Sequence, residues 1–451
     1  MKIGLMHFRS GFTDGVSLEM DKQKIVLEEM GHEVIFVCGE LKDEEGIEIP
    51  LLNLLEARND VLLQNGFDSL EAFTPEEYEE ELSDLAYQIE SQVTRAILEQ
   101  QIELLVVHNL FSLGLNLAAA KGVSRAIEKT GIRAMAHHHD FYWERERFSH
   151  PTLPIVNRYL SAFFPPDSKN ILHCVINSIS QKELLTKRNL SSMVIPNVMD
   201  FNQSPWEEDE FNRDLRERLG IGENDLVFLQ ATRILPRKAI ELAFEFIRAF
   251  SEGHFSKIQE GTRIYTDRKI NRQSAIHFVL CGLTEEMDRS YLREMKALAA
   301  KMPYACHFIP HLIGSHRNQD PKVYSLWDAY TMADIITFPS VQEGWGNQFL
   351  EAIFAKKIIM GYEYPVLQTD ILPKGLRIVS LGKNARIGEK GLYELDWQTY
   401  AETAESLFNL ITDYPESHRL VDKNWAVGAQ YFSYDVLKKT MERIIDGVDW
   451  E

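Results

Sequence analysis

Cysteine is scarce in this 451-residue chain, and the four present, Cys38, Cys174, Cys281 and Cys306, are scattered without ligand spacing. That argues against a disulfide-stapled scaffold and a cysteine-based metal site, and points to buried thiols in a reducing compartment. Long apolar runs are missing too. No segment approaches the ~20 apolar residues needed to cross a bilayer. The apolar start, Met1-Lys-Ile-Gly-Leu-Met-His-Phe, is too short for a secretory signal and reads as a first strand. The cytoplasm is the expected address. Basic charge is the third shortage, with 48 Lys and Arg against 68 Asp and Glu and a formal net charge of -20. This balance argues against a nucleic-acid backbone or an anionic membrane as the main partner, while leaving room for a local basic pocket.

What is present is an alternation of apolar runs and amphipathic stretches. The chain is too long for most single cores, so two domains of roughly 200 residues are expected. Strands are expected at Lys2 to Phe8, Glu33 to Val37, Ile102 to Val107, Ile132 to Ala136, Leu172 to Ile176 and Ser192 to Ile195. Between them the pattern gives helices at Leu18 to Met30, Pro75 to Gln101 and Gly114 to Lys129. The turn-rich stretch Pro196 to Pro205, followed by Trp206-Glu-Glu-Asp-Glu, marks a boundary near residue 200.

A second series follows, with strands at Leu226 to Gln230, Ile276 to Cys281, Ala305 to Pro310 and Asp334 to Phe338. Its helices are expected at Arg237 to Ala249, Met287 to Ala299 and Tyr324 to Met332, with polar surface excursions at Glu252 to Gln273 and Ser315 to Pro321. The expected division is therefore 1–200, 201–430 and a terminal stretch 431–451 whose helix, Tyr434 to Ile445, packs back on the first domain. The rhythm is that of α/β domains built on parallel sheets, which bind ligands at the carboxyl ends of their strands.

Four places carry chemistry. In Ser340-Val-Gln-Glu-Gly-Trp-Gly-Asn-Gln-Phe-Leu-Glu, a Gly-rich turn leads from an apolar strand into a helix. A helix start offers backbone N–H groups to an anion, while Glu343 and Glu351 can accept hydrogen bonds from hydroxyls. Arg233 and Lys238, in Thr232-Arg-Ile-Leu-Pro-Arg-Lys, supply cations for a diphosphate, although a solvated basic turn explains them as well. The loop after the first strand holds Gly11 and Gly15, either a phosphate approach or an ordinary strand-to-helix turn. The fourth place is Ala136-His137-His138-His139-Asp140-Phe-Tyr-Trp-Glu-Arg145. Three consecutive side chains point in different directions and rarely serve one ion, so no metal is expected; one imidazole meeting a sugar fits better. Phe141, Tyr142 and Trp143 are an acceptor wall or core, and Arg145 meets an acceptor anion or lies on a solvated face.

Taken together these segments resemble the large GT4 family of retaining glycosyltransferases. Glu343 and Glu351 match its E-x7-E signature, and Val194-Ile-Pro-Asn-Val-Met-Asp resembles the stretch opening its second domain. Thr232-Arg-Ile-Leu-Pro-Arg-Lys and Asp328-Ala-Tyr-Thr-Met-Ala-Asp match two further segments. The chain departs from the family at Ala231, Ala239, Asp14-Gly15 and Trp345, none of which removes a charged group. The resemblance implies a GT-B fold, two Rossmann-like domains facing across a deep cleft.

It also implies roles. Glu343 would hold donor-sugar hydroxyls, Glu351 the nucleotide ribose, and Arg233 and Lys238 the diphosphate. Gly344, Trp345, Gly346, Asn347 and Gln348 would line the donor, with Gly15 near its diphosphate. His139 would touch the transferred sugar, with His137 or His138 as fallback, and His137, His138, Asp140, Tyr142 and Arg145 would face the acceptor. The implied reaction moves a hexose from a UDP-, GDP- or ADP-linked sugar to a small sugar, sugar phosphate or sugar acid, with no further cofactor, nucleic acid or membrane insertion. A phosphorylase on the same fold is the alternative, although no lysine motif for a pyridoxal cofactor stands out. A non-catalytic sugar-nucleotide-binding protein is the third reading.

Overall fold

A computed structural model describes residues 1–12, 14–259, 261–284 and 289–447. Backbone packing divides them into two units: Met1–Val198 together with the C-terminal stretch from Tyr434, and Met199–Ser433. Thr13 of the first loop, Glu260, the start of the helix expected at Met287, and the last residues of the terminal stretch lie outside the described residues.

The first unit is built on a seven-stranded sheet. Its strands are β1 (Lys2–His7), β2 (Glu33–Cys38), β3 (Gly46–Glu48), β4 (Leu104–His108), β5 (Arg133–His138), β6 (Ile171–Val175) and β7 (Met193–Val194). The spatial order is β3-β2-β1-β4-β5-β6-β7, and every pairing is parallel. Central strands covered on both faces need unbroken apolar runs; β4 reads Leu-Leu-Val-Val-His, with each residue buried.

On one face lie α2 (Pro75–Gln100) and α3 (Leu117–Thr130), and α1 (Gly15–Glu29) covers the other. A capping box of Thr74 and Glu77 starts α2, which buries Leu82, Leu85, Ile89, Val93 and Ile97 and leaves most of its glutamates to solvent. The terminal helix Tyr434–Ile445 joins the α1 side, where Leu437, Met441 and Ile444 pack with Ile3, Leu5 and Val106.

The second unit has a six-stranded parallel sheet. It comprises β8 (Leu226–Gln230), β9 (Ile276–Leu280), β10 (Ala305–Phe308), β11 (Ile335–Phe338), β12 (Ile358–Gly361) and β13 (Val379–Ser380), in the order β10-β9-β8-β11-β12-β13. Helices α4 (Ile240–Gly253), α5 (Leu326–Met332) and α6 (Asn347–Phe354) flank the loops discussed below. In both sheets the strand order reverses at the centre, between β1 and β4 and between β8 and β11. Such a reversal parts the outgoing connections and leaves room for a ligand at the strands' carboxyl ends.

Two helix starts differ from the sequence expectation. The helix expected from Arg237 begins at Ile240, because Pro236–Lys238 form a separate 3-10 turn closed by Ala239 in the left-handed region. The helix expected from Tyr324 begins at Leu326, where Ser325 and Asp328 make a capping box, and Lys322–Ser325 is a strand.

The helix pair α2 and α3 approaches so closely that Gly122 has no room for a side chain. A Cβ there would lie 2.7 Å from the Ala86 carbonyl oxygen and 2.9 Å from the Ile89 Cβ. Alanine should add up to about 1 kcal/mol of intrinsic helix stability, whereas overpacking against a rigid helix costs about 1–3 kcal/mol. Gly122→Ala is therefore expected to lower the urea midpoint. A raised midpoint would mean that the two helices separate without cost.

Candidate active site

Two loops leave the central strand pair of the second sheet. The first follows β8. Proline at 236 presets the backbone of the tight turn Pro236–Lys238, and Ala239 (φ 45°) passes the chain into α4. The second follows β11 and reaches α6 through Gly346 at φ 116°. A Cβ on Gly346 would stand 2.9 Å from the Tyr364 hydroxyl, so both torsion and space require glycine. Trp345 is buried, edge-on to Phe432, and its carbonyl accepts from the Tyr364 hydroxyl. It packs the turn.

These loops are joined by charge. Val341 N–H donates to the Arg237 carbonyl at 3.0 Å. Arg237 donates to the Gln342 carbonyl at 3.0 Å and to Glu343 Oε2 at 2.6 Å. The Lys238 ammonium donates to Glu343 Oε1. The Lys238 and Glu343 side chains are only 5% and 7% exposed, so this is a buried pair. Burial pushes the Glu343 carboxyl upward, but the charges of Lys238 and Arg237 outweigh it and hold it below the usual range. Burial lowers Lys238, with Glu343 opposing and Arg237 and Arg233 adding to the fall.

Arg233 is exposed on the same loop, and its charge acts on Lys238. The positive end of α6 follows at once. Glu351, one turn into that helix, is buried and accepts from the Tyr330 hydroxyl at 2.9 Å. The three cations and Glu343 thus form one cluster.

In the first unit the same location is lined by histidine. His7 ends β1, His108 ends β4, and His137 stands beside His108 in register on β5. Strand alternation sends His138 to the opposite face, where its Nε2 lies 3.0 Å from His173 Nδ1, and His173 Nε2 lies 3.1 Å from the Pro166 carbonyl. His139 returns to the side of His137; its Nε2 is 3.0 Å from His108 Nδ1. His7 Nδ1 is 2.9 Å from the His108 carbonyl, and the Gln23 amide is 2.9 Å from His137 Nδ1. Burial lowers all of these imidazoles, and pushes His137 and His173 down to about 4.

Asn109, in the left-handed region, accepts from His139 N–H at 2.8 Å and donates to Asp140 Oδ1 at 3.1 Å. Asp140 also pairs with Arg145. Gly15 is the first residue of α1, and Asp14 caps that helix by accepting from Val16 N–H and Ser17 N–H, both at 3.1 Å. Asp14 thus satisfies two of the first N–H groups of α1 from within the chain.

His137, His139, Asp140 and Arg145 therefore gather at one end of the first sheet, and His138 stands apart. Phe141 is core, stacked on Trp143, which is tied to Glu183; Tyr142 is half-buried against Phe164. Sequence reasoning passed over Arg237, Tyr330, Gln23, His7 and His108. A signal for the last two existed: like β5, each of their strands is an apolar run ending in histidine.

No family model matches the chain. It is 38% identical over 440 residues to the mannosylglucosylglycerate synthase of Petrotoga mobilis, spanning 98% of this chain and 100% of that protein. It is 36% identical over 450 residues to the mannosylglucosylglycerate synthase of Thermotoga maritima, spanning 98% and 99%. The chain belongs to the mannosylglucosylglycerate synthase family.

Distant solved structures share its fold. A glycosyltransferase from Rickettsia africae superposes with a TM-score of 0.63 at 12% identity, over 98% of this chain and 97% of that one. Anabaena HepE, in complex with UDP and glucose, gives 0.60 at 14% identity over 99% of each. The two Rossmann-like domains are those of the GT-B class. As a member of the mannosylglucosylglycerate synthase family, the chain is a glycosyltransferase.

The buried pair makes a stability prediction. Glu343→Gln leaves the Lys238 ammonium buried without its carboxylate, a change that costs about 3–5 kcal/mol; adding Lys238→Met should restore most of it. Because the folded-state pKa of Glu343 is depressed, its contribution is full above the unfolded carboxylate value of about 4.3. It is lost as pH falls through the lower folded value. Urea unfolding should show a wide gap between wild type and Glu343→Gln at neutral pH that closes on acidification. An equal gap at all pH values would contradict this pairing.

Proposed function

We propose that this glycosyltransferase moves a hexose from a nucleoside diphosphate sugar to a small sugar acid, with retention at the anomeric carbon and without a metal ion in the transfer step. The observation that carries the reading is the cluster of Lys238, Arg237 and Glu343 beside the start of α6. A diphosphate offers these cations more charge than one carboxylate does, so donor binding takes them over and releases Glu343 to accept from donor-sugar hydroxyls. Arg233 adds a further cation to the diphosphate, and Glu351 holds the ribose hydroxyls. The N–H groups from Gly344 to Gln348 complete the anion cradle.

The acceptor class follows from the relatives: the name mannosylglucosylglycerate synthase describes a product with a mannosyl unit, a glucosyl unit and glycerate. A hexosylated glycerate is the acceptor assigned to this chain. His139 meets the transferred sugar, and Gly15 approaches the diphosphate. His137, Asp140, Tyr142 and Arg145 serve the acceptor, whose carboxylate suits Arg145; His138 supports the strand end from its other face.

The acceptor hydroxyl enters from the side of the leaving group, and a donor phosphate oxygen takes its proton. The protein contributes orientation and stabilisation of charge on the departing diphosphate. We place the reaction in the cytoplasm, a reducing setting that suits four cysteines all present as thiols. No described helix is long and apolar enough to cross a membrane.

Purified protein supplied with UDP-, GDP- and ADP-hexoses and a hexosylated glycerate should release one nucleoside diphosphate per glycoside formed, with the anomeric configuration kept. No turnover with any donor, or an inverted product, would sink the reading. Glu351→Ala removes a charge-assisted hydrogen bond worth about 1.5–3 kcal/mol, so donor affinity should fall roughly 10- to 150-fold. Unchanged donor affinity in calorimetry would overturn the ribose role.

A further inference from the structure

The imidazoles at the carboxyl ends of β4 and β5 form a set that glycosyl transfer does not need as a set. One ring nitrogen from each of His108, His137 and His139 lies within 4.8 Å of the other two. His108 and His137 are neighbours in the parallel register, and strand alternation brings His139 to the same side. The rings are close, with centroids 4.6 Å apart for His137 and His139 and 5.3 Å apart for His108 and His139.

Distance decides what such a group can do. Two imidazole nitrogens on one tetrahedral zinc ion, each at about 2.0–2.1 Å, stand about 3.3 Å apart. His108 Nδ1 and His139 Nε2 are at 3.0 Å, so that edge need open by only a few tenths of an ångström. A second observation is independent of the first. His137 is only 2% exposed; Gln23 stands at its Nδ1, and its other ring nitrogen, Nε2, has no hydrogen-bond partner among the described residues. A buried, unsatisfied nitrogen inside a histidine cluster is the type of group that an ion or ordered ligand accounts for.

Outer support is also in place. The Gln23 amide, itself buried, fixes the His137 ring through Nδ1, and Asn109 holds the His139 backbone. For His137 to ligate through Nε2 its Nδ1 must carry the proton, and the otherwise unpartnered Gln23 amide oxygen accepts that proton once the amide is turned over. The donor set is imidazole nitrogen alone, which suits zinc, cobalt, nickel or copper and not magnesium or calcium.

We propose that His108, His137 and His139 form a binding site for one divalent transition-metal ion of the zinc class, with the fourth position open to solvent or a ligand oxygen. The site stands on its own geometry and does not depend on the proposed reaction. One consequence does rest on that reading: coordination withdraws His139 from the transferred sugar, so the ion is an inhibitor of transfer and not its cofactor.

The test is metal binding by the full chain after chelator treatment. Zn²⁺ is titrated in competition with a chromophoric chelator, and Co²⁺ is followed by its visible absorption. One equivalent of each should bind, Co²⁺ giving the intense bands of a four-coordinate site. His139→Gln, at a half-buried position, and His108→Gln should each abolish stoichiometric binding. Gln23→Ala should weaken it by about 10-fold or more. His150→Gln, at an exposed histidine, should leave it unchanged. Should His108→Gln not fold, His139→Gln decides alone.

Absence of stoichiometric binding, or binding that survives His139→Gln, would overturn the site. Zn²⁺ bound at one equivalent with transfer undiminished would uphold the site and overturn only the role of His139 at the sugar.

Discussion

A carboxylate buried against a lysine sets the geometry of the second unit's central loops. Glu343 reaches Lys238 only because the Pro236–Lys238 turn and the loop before Gly346 leave adjacent strands of one parallel sheet. Burial makes each charge costly by itself, so neither side chain tolerates the loss of the other. Arg237, more exposed, adds a second bond to the same carboxylate and a hydrogen bond across the loops. The glycine at 346, the Tyr364 hydroxyl beneath it and the left-handed Ala239 all serve to bring these ends together. The result is a set of cations held in position by one buried carboxylate.

The first unit solves the same placement problem with different physics. Its sheet also reverses order at the centre, but the strand ends there carry buried imidazoles, whose basicity burial lowers, instead of paired ions. Hydrogen bonds between rings and to Gln23 and Asn109 hold them. Direction is fixed by the strand: His137 and His139 face one way and His138 the other. A triple histidine is thus two functional groups, one on each face of a sheet edge. Three consecutive side chains do not serve one ion, yet two of them with a neighbour from the next strand form a compact nitrogen cluster.

Much of the architecture could be read directly because the strands are short apolar runs bounded by turn residues. β8 and the terminal helix Tyr434–Ile445 have the expected limits, and most other boundaries lie within a few residues of expectation. The differences have local causes. Pro236 and Ala239 detach a turn from the front of α4, and the Ser325 and Asp328 capping box delays α5. β12 drew no expectation, since Ile358-Ile-Met is a short apolar run set off from Ala352-Ile-Phe-Ala only by Lys356 and Lys357, and so short a run does not reveal its period. Within the candidate site, the glutamates, Arg233, Lys238 and the histidine triplet could be singled out by residue type and spacing. Arg237 and Tyr330 could not, because their importance lies in partners 106 and 21 residues away.

By itself, the amino-acid sequence determined the α/β class, the Gly-rich turn with its two carboxylates, and the basic turn that accompanies it. These are local properties, set by side-chain period, glycine and proline placement, and charge. Only the tertiary structure decided that Glu343 is neutralised by Lys238 and Arg237, that Glu351 is held by Tyr330, that Trp345 and Phe141 are core, and that His108 joins His137 and His139. Each depends on which strands become neighbours. In a parallel sheet that neighbour comes from across a crossover connection, so no local pattern in the chain carries the information.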